Sequence, residues 1–334
     1  MQAWQIKPAA ADGKLAKVSL PEPEPGPGEV VVRMRAASFN YRDLLVADNV
    51  YRSKATALIP LSDGAGEIAK VGDGVSRHRP GDRVAGAFYP DWIRGSISES
   101  ARARSPGATV DGVLAEYVRL PAHAAIGVPD HLSFEEAATL PCAALTAWNA
   151  LVETGRTKAS DTVLLQGSGG VSMMALAMAR MMGARVIHMS SDEGRCRRLR
   201  ELGVDCVIDY KAKPDWDREV MAMTEDRGVD LVVEVGGPAT LARSMRAVRV
   251  GGTIVSVGFV GGGGTVDPRP IISRAIRLVG ITVGSCDMFE AMNRAILQAR
   301  LRPVIDRTIG FEDAAEGYRQ LRAGGHFGKL VVTI

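Results

Sequence analysis

The stretch Val163-Leu164-Leu165-Gln166-Gly167-Ser168-Gly169-Gly170-Val171-Ser172 runs from an apolar, strand-forming segment through a glycine-rich turn into a helix-forming segment. That context gives meaning to a glycine pattern that is weak alone. Gly167 can make the tight turn, and Gly169 lets backbone approach a pyrophosphate. The start of the following helix offers free amides at its positive dipole end. Ser172 stands where a third glycine is usual, and Ala175, Ala177 and Ala179 keep the helix face slim for packing on a sheet. The stretch is predicted to be the phosphate-binding turn of a nucleotide-binding βαβ unit. A glycine turn that holds no ligand is the alternative.

From residue 160 onward, strand and helix patterns alternate, the mark of an α/β fold with a doubly wound parallel sheet. Strands are expected over residues 162–166, 185–189, 206–208, 230–235 and 253–257. Helices are expected over 170–182, 192–202, 214–224 and 238–248. The first third reads differently. Residues 30–35, 66–71 and 83–87 are β-rich and flanked by Gly or Pro, and the entry at 21–28 cannot be helical because alternate prolines remove amide donors. Residues 89–112 are polar, rich in Gly, Ser and Ala, and read as a long surface loop suited to a lid. Four consecutive glycines at 261–264 read as a hinge, and the tail from 268 to 334 has strands and helices of its own.

A chain of 334 residues exceeds one ordinary core, so two lobes are the natural expectation. With 46% hydrophobic and 24% charged residues, disordered and fibrous classes are excluded. A net charge of +3 is too small to imply a nucleic-acid or membrane partner, although Arg195, Arg197, Arg198 and Arg200 cluster. The amino-terminal residues lack a secretory pattern, and no apolar run is long enough to span a membrane. Cys142, Cys196, Cys206 and Cys286 show no paired spacing, so a reducing cytoplasm is the expected compartment. His78, His123, His131 and His188 have no metal-pair or triad spacing, and the turn glycines account for His326.

The end of the second strand bears on the cofactor. An acidic residue there holds the ribose hydroxyls of NAD, but this segment reads Met189-Ser190-Ser191, with Arg195 one helical turn further on. Two hydroxyls leave room for a 2′-phosphate, and a guanidinium can meet that dianion, which favours NADP(H). The alternative makes Asp192 the ribose partner and Arg195 a solvated helix residue.

Several motifs together resemble the medium-chain dehydrogenase/reductase superfamily, particularly its zinc-free quinone oxidoreductase-like branch. They are Pro27-Gly28-Glu29-Val30, Asn40-Tyr41-Arg42-Asp43, Gly64-Ala65-Gly66 with Val71-Gly72, and Pro80-Gly81-Asp82-Arg83-Val84. Leu140-Pro141-Cys142 with Leu145-Thr146-Ala147, the glycine turn, and His326-Phe327-Gly328-Lys329 complete the series. The resemblance covers nearly the whole chain. It implies a Rossmann sheet inserted in a GroES-like β-rich lobe: residues 1–125 as the first part of that lobe, 126–265 as the NADP(H)-binding domain, and 266–334 returning to the lobe.

The same resemblance assigns cofactor positions. Thr146 would approach the nicotinamide-side phosphate or ribose, with Gly167 at the turn and Gly169, Gly170 and Val171 offering amides to the pyrophosphate. Ser191, Arg195 and Tyr210 would surround the 2′-phosphate. Gly236, Gly258 and Phe259 would line the nicotinamide side, and Phe327 and Lys329 would close over the cofactor. Tyr210 as a partly buried strand end and Lys329 as a surface charge are the plain alternatives. A homodimer is implied by relatives whose Rossmann sheets pair edge to edge.

Zinc-bearing members carry a cysteine where this chain has Asn40, and a His-Glu pair where it has Ser62-Asp63; Cys142 alone matches a ligand. One thiolate with a carboxylate falls short of the three-ligand set of a catalytic zinc. Residues 89–112 contain no cysteine for a structural one. No metal of either kind is expected. Without a Lewis acid, reduction of a quinone or conjugated enone is the easier chemistry, since the developing negative charge delocalises. Asn40 is the candidate donor to the substrate carbonyl, Tyr41 a donor or aromatic wall, and Asp43 an orienting group. For Asn40 and Asp43, local backbone fixing is an equal alternative. Cys142 reads more readily as a packing residue. Tyr41, Tyr51, Trp92 and Phe259 suggest an apolar or aromatic small-molecule substrate. An NAD(P)-dependent alcohol dehydrogenase and a catalytically idle dinucleotide-binding protein are the competing functions.

Overall fold

Period-two burial and β-branched runs produce a chain rich in strands. The computed structural model describes residues 1–6, 15–50, 57–204 and 206–334. The described strands are β1 (Gln2–Ile6), β2 (Leu15–Ser19), β3 (Glu29–Ser38), β4 (Asp63–Val71), β5 (Arg83–Gly86), β6 (Tyr117–Pro121) and β7 (Ala125–Gly127). They continue as β8 (Thr162–Gln166), β9 (Arg185–Ser190), β10 (Cys206–Asp209), β11 (Val229–Glu234), β12 (Val248–Ser256), β13 (Arg277–Gly280), β14 (Ile305–Gly310) and β15 (Lys329–Thr333). The chain divides into two units, Met1–Leu145 with Val283–Ile334, and Thr146–Thr282.

In the first unit the sheet runs β14-β15-β3-β4-β5-β7, with β6 also paired to β3. The carboxyl-terminal strand β15 pairs antiparallel with β3, which is how the tail rejoins the first lobe. Val30, Val32 and Met34 of β3 are buried against Ile68, Val84, Leu120 and Leu330 in one core. Each such aliphatic side chain contributes about 1.5–3 kcal/mol on burial. Phe39, just past β3, meets the Tyr318 ring edge-on at 5.3 Å between centroids. A Cβ at Gly317 would lie 2.2 Å from the Phe39 ring, so glycine there permits the approach.

The second unit holds a six-stranded sheet, β10-β9-β8-β11-β12-β13. Every neighbouring pair is parallel. Strand order reverses between β8 and β11, the arrangement of a doubly wound dinucleotide-binding sheet, and ligands of such sheets bind outside the carboxyl ends at that reversal. All five residues of β8 are buried, as fits a strand covered on both faces. The helix Gly170–Met181 buries Met173, Met174, Ala175, Leu176, Met178 and Ala179.

The two compact units divide at Leu145/Thr146 and Thr282/Val283; the expected domain divisions were 125/126 and 265/266. β7 pairs with β5 and stays with the first unit, while β13 pairs with β12 and extends the second. The surface loop over residues 89–112 contains one short helix and is anchored at several points. Trp92 and Ala108 are buried, Ser98 caps a short helix Glu99–Ala103, and the carbonyls of Trp92 and Ile93 accept the amides of Cys286 and Asp287. The polar composition concealed these anchors because their partners are far along the chain. No helix among the described residues is long and apolar enough to cross a membrane.

Candidate active site

The predicted site residues fall into two groups, one in each unit. In the first unit, Asn40 precedes the helix Tyr41–Ala47 as its N-cap, with extended backbone. Its amide N–H donates to Asp43 Oδ2 at 2.7 Å, and the Asp43 N–H donates to the Asn40 carbonyl at 2.9 Å. Lys329, at the start of β15 and only 3% exposed, donates from Nζ to Asn40 Oδ1 at 2.6 Å and to the Phe39 carbonyl at 2.5 Å. Asp63 is buried at the start of β4. One of its oxygens accepts the Ser62 hydroxyl at 2.6 Å, the other the Cys142 amide at 2.9 Å.

Among the described residues, Asn40 Nδ2 and Asp43 Oδ1 are buried without a hydrogen-bond partner. Burial raises the Asp43 carboxyl to about 6, against the pull of the Arg42 guanidinium and the Asn40 amide. Desolvation, aided by the Asp63 carboxylate, pushes the Cys142 thiol well up. The cluster thus brings Asn40, Asp43 and Lys329 together with Asp63 and Cys142. Tyr41 is 45% exposed on the same helix, and Phe327 is buried. Trp92 is buried, with its indole N–H donating to the Gly95 carbonyl. Tyr51 lies outside the described residues.

In the second unit, Gly167 follows β8 with φ +74°, a left-handed conformation that favours glycine. A Cβ at Gly167 or Gly169 would meet no atom within 4 Å, so the turn is open above its backbone. Gly169 is the N-cap of the helix beginning at Gly170 and Val171, which leaves the first-turn amides available to an anion. Ser172 Oγ donates to the Gln166 carbonyl and His188 Nε2 lies 2.6 Å from the Gly167 carbonyl, so both side chains brace the turn from below. Burial holds the His188 imidazole down at about 4, despite that carbonyl.

At the end of β9, Arg195 donates to Ser191 Oγ, and its backbone N–H is capped by Asp192 Oδ1 at 2.9 Å. Asp192 Oδ2 lies 3.3 Å from the same guanidinium. The Tyr210 amide bonds to the Ser190 carbonyl at 3.0 Å, placing Tyr210 beside this group. Thr146 is buried at the first position of the unit.

A third feature was missed from sequence. Glu234, fully buried at the end of β11, accepts from Gln166 Nε2, Thr240 Oγ1, Ser244 Oγ and the amides of Gly236 and Gly237. This network ties the carboxyl ends of β8 and β11 together and shapes the Gly236-Gly237 turn. A Cβ at Gly236 would collide with Thr240, and one at Gly258 would lie 3.0 Å from the Val235 carbonyl, so tight packing accounts for both glycines. Phe259 is 55% exposed next to Gly237. A strand-ending glutamate with a glutamine at the end of the neighbouring strand was the available signal.

Residues 26–130 match the alcohol dehydrogenase GroES-like domain, and residues 170–298 match the zinc-binding dehydrogenase domain. A zinc-type alcohol dehydrogenase-like protein of Schizosaccharomyces pombe is 39% identical over 316 residues, covering 92% of this chain and 91% of its own. The chain is a medium-chain dehydrogenase/reductase. A quinone oxidoreductase of Rattus norvegicus is 27% identical over 321 residues, covering 93% of this dehydrogenase/reductase and 91% of its own chain. The crystal structure of an NAD-dependent alcohol dehydrogenase superposes with a TM-score of 0.90 at 32% identity, covering all of both chains.

This dehydrogenase/reductase is an oxidoreductase that uses NAD(P)(H), and its open turn above Gly167 and Gly169 fits a pyrophosphate. A catalytic zinc fits poorly. The Asn40 oxygen already meets an ammonium, both Asp63 oxygens accept protein hydrogen bonds, and Ser62 donates its hydroxyl proton inward. Among the described residues, Asp43, Asp63 and Cys142 do not bring three ligand atoms close enough to share one ion, short of a three-ligand set.

Proposed function

We propose that this medium-chain dehydrogenase/reductase is a zinc-independent, NADPH-dependent reductase of quinones or activated alkenes and carbonyls. One observation carries the reading: at the position of a first metal ligand stands an amide whose oxygen is held by a buried ammonium. When bound, the reduced dinucleotide supplies the hydride. The chain's own contribution is to hold an apolar acceptor in a dry pocket and to polarise its carbonyl through the Asn40 amide, with Asp43 fixing the Asn40 backbone. A quinone or enone asks less of such a donor than an alkoxide does, because its charge spreads over the conjugated system.

The preference for NADPH rests on Arg195. Its guanidinium is already turned toward Ser191 at the end of β9, and Asp192 is occupied in capping the next helix. Gly169, Gly170 and Val171 would cradle the pyrophosphate, Ser191, Arg195 and Tyr210 the 2′-phosphate. Thr146, Gly236, Gly258 and Phe259 would surround the nicotinamide end. The enzyme would be cytoplasmic and homodimeric. Among the described residues β13 pairs only with β12, which leaves its outer edge to pair with a second copy.

The deciding experiment compares NADPH and NADH binding and screens quinones, enones and alcohols. The expected result is NADPH-linked quinone or enone reduction with little alcohol oxidation. Chelator-sensitive alcohol oxidation would establish the alcohol dehydrogenase instead. Tight NADPH binding without turnover of any acceptor would establish an idle binding protein.

A further inference from the structure

Lys329 and Asn40 are 289 positions apart in sequence and 2.6 Å apart in space. An ammonium carries donors only, so the atom of the Asn40 amide that faces Lys329 must be the oxygen. The Phe39 carbonyl, at 2.5 Å, holds the ammonium from a second direction. With Oδ1 fixed in this way, Nδ2 has one orientation, and there it is buried without a partner among the described residues. Buried donors are nearly always paired, so a donor held unpaired by its own neighbours marks a place where a ligand oxygen belongs. Nothing else about Asn40 is free to adjust, because its backbone is locked by Asp43 on both sides of the peptide.

We propose that Lys329 is the positioning residue of the reaction, orienting and polarising the Asn40 amide so that Nδ2–H donates to the acceptor's developing oxyanion, rather than a contact of the cofactor. The inference rests on the reductase reading above. The acceptor gains a hydride at carbon as the corresponding C–H bond of the reduced nicotinamide breaks. The electron pair of the conjugated π-system moves onto the carbonyl oxygen, which then takes a proton from water. The Asn40 N–H meets that oxygen while it is negative. The ammonium, bonded to the far end of the same amide, draws electron density away and makes the N–H a stronger donor.

The test uses the full chain and three substitutions. Lys329→Met leaves Asn40 Oδ1 unpaired and the amide free to turn. Lys329→Arg restores a donor to that oxygen. Asn40→Asp keeps an oxygen for Lys329 but replaces the amide donor with an acceptor. For each, kcat with 9,10-phenanthrenequinone and the dissociation constant of NADPH are measured on the same folded preparation. Lys329→Met and Asn40→Asp are expected to lower kcat about 100-fold, the scale of one lost oxyanion donor. NADPH affinity should stay within about twofold, and Lys329→Arg should recover most of the loss, as expected when orientation of one amide is at stake. Weakening of NADPH by Lys329→Met with kcat unchanged would overturn the proposal and place Lys329 on the cofactor.

A readout independent of turnover separates failure of this inference from failure of the reductase reading. The NADP⁺ complex is titrated with 4-nitrophenol as an oxyanion probe. The wild type should bind its phenolate and lower the probe's apparent pKa, and both Asn40→Asp and Lys329→Met should lose this effect. A wild-type complex that binds the phenolate no better than Asn40→Asp overturns the proposal, whatever acceptors the enzyme reduces.

Discussion

The first unit fills the surroundings of Asn40 with its own charges, whereas the second leaves the backbone of Gly167 and Gly169 open. Around Asn40, one buried cation and two buried carboxylates answer one another, and the unmatched atoms there among the described residues are the Asn40 amide nitrogen and one Asp43 oxygen. At the glycine turn, side chains brace the loop only from beneath, through Ser172, His188 and the Gln166–Glu234 network. The difference separates two tasks. Chemistry needs a prearranged dipole whose orientation cannot drift, while dinucleotide binding needs space and amides.

This contrast can be broken at several points. The largest effect should come from filling the open turn. Gly169→Val puts a branched side chain where no atom now lies. It should weaken NADPH roughly 1,000-fold, or about 4 kcal/mol, while the melting temperature barely moves. Equal loss of folding and binding would mean that the turn serves packing alone.

The two units should also answer pH with opposite signs. Asp43 is raised in the fold from 3.8 to about 6, so its contribution to stability is complete below about pH 4 and is lost as pH rises through 6. His188 is lowered from 6.5 to about 4, so its contribution is complete above about pH 6.5 and is lost as pH falls through 4. Relative to wild type, Asp43→Asn should therefore gain about 3 kcal/mol between pH 4 and 7. His188→Gln should lose ground by a similar amount, about 3 kcal/mol, over the same rise. Denaturant unfolding at closely spaced pH values measures both. Curves that stay parallel to wild type would show that neither group is buried as described.

The smallest effect concerns the 2′-phosphate. Arg195→Gln should weaken NADPH by about tenfold and leave NADH nearly unchanged, as expected for one charge-assisted contact. Equal weakening of both cofactors would return the ribose to Asp192.

The glycine turn and the strands around it were legible because their signals are contiguous. β8 spans the residues expected, and β9 runs only one residue further than its apolar pattern. The two-unit architecture was legible in the change of pattern near residue 160 and in family motifs. The site around Asn40 was only half legible. Asn40 and Asp43 stand out in a local motif, but the pairing with Lys329 across the chain is a product of β15 rejoining β3, and no local pattern encodes that contact. The Glu234 network was hidden for the same reason, since Gln166, Glu234 and Ser244 come from three separate elements. In residues 89–112 the surface loop was legible but its anchors were not, because composition reports polarity and says nothing of distant backbone partners.

The claim that polarisation here comes from an amide and an ammonium is tested most directly by metal removal. The purified enzyme is dialysed against a strong chelator, its zinc content is measured, and quinone reduction with NADPH is followed before and after. Unchanged turnover with zinc far below one per chain is the predicted result. Loss of turnover that stoichiometric zinc restores would contradict it.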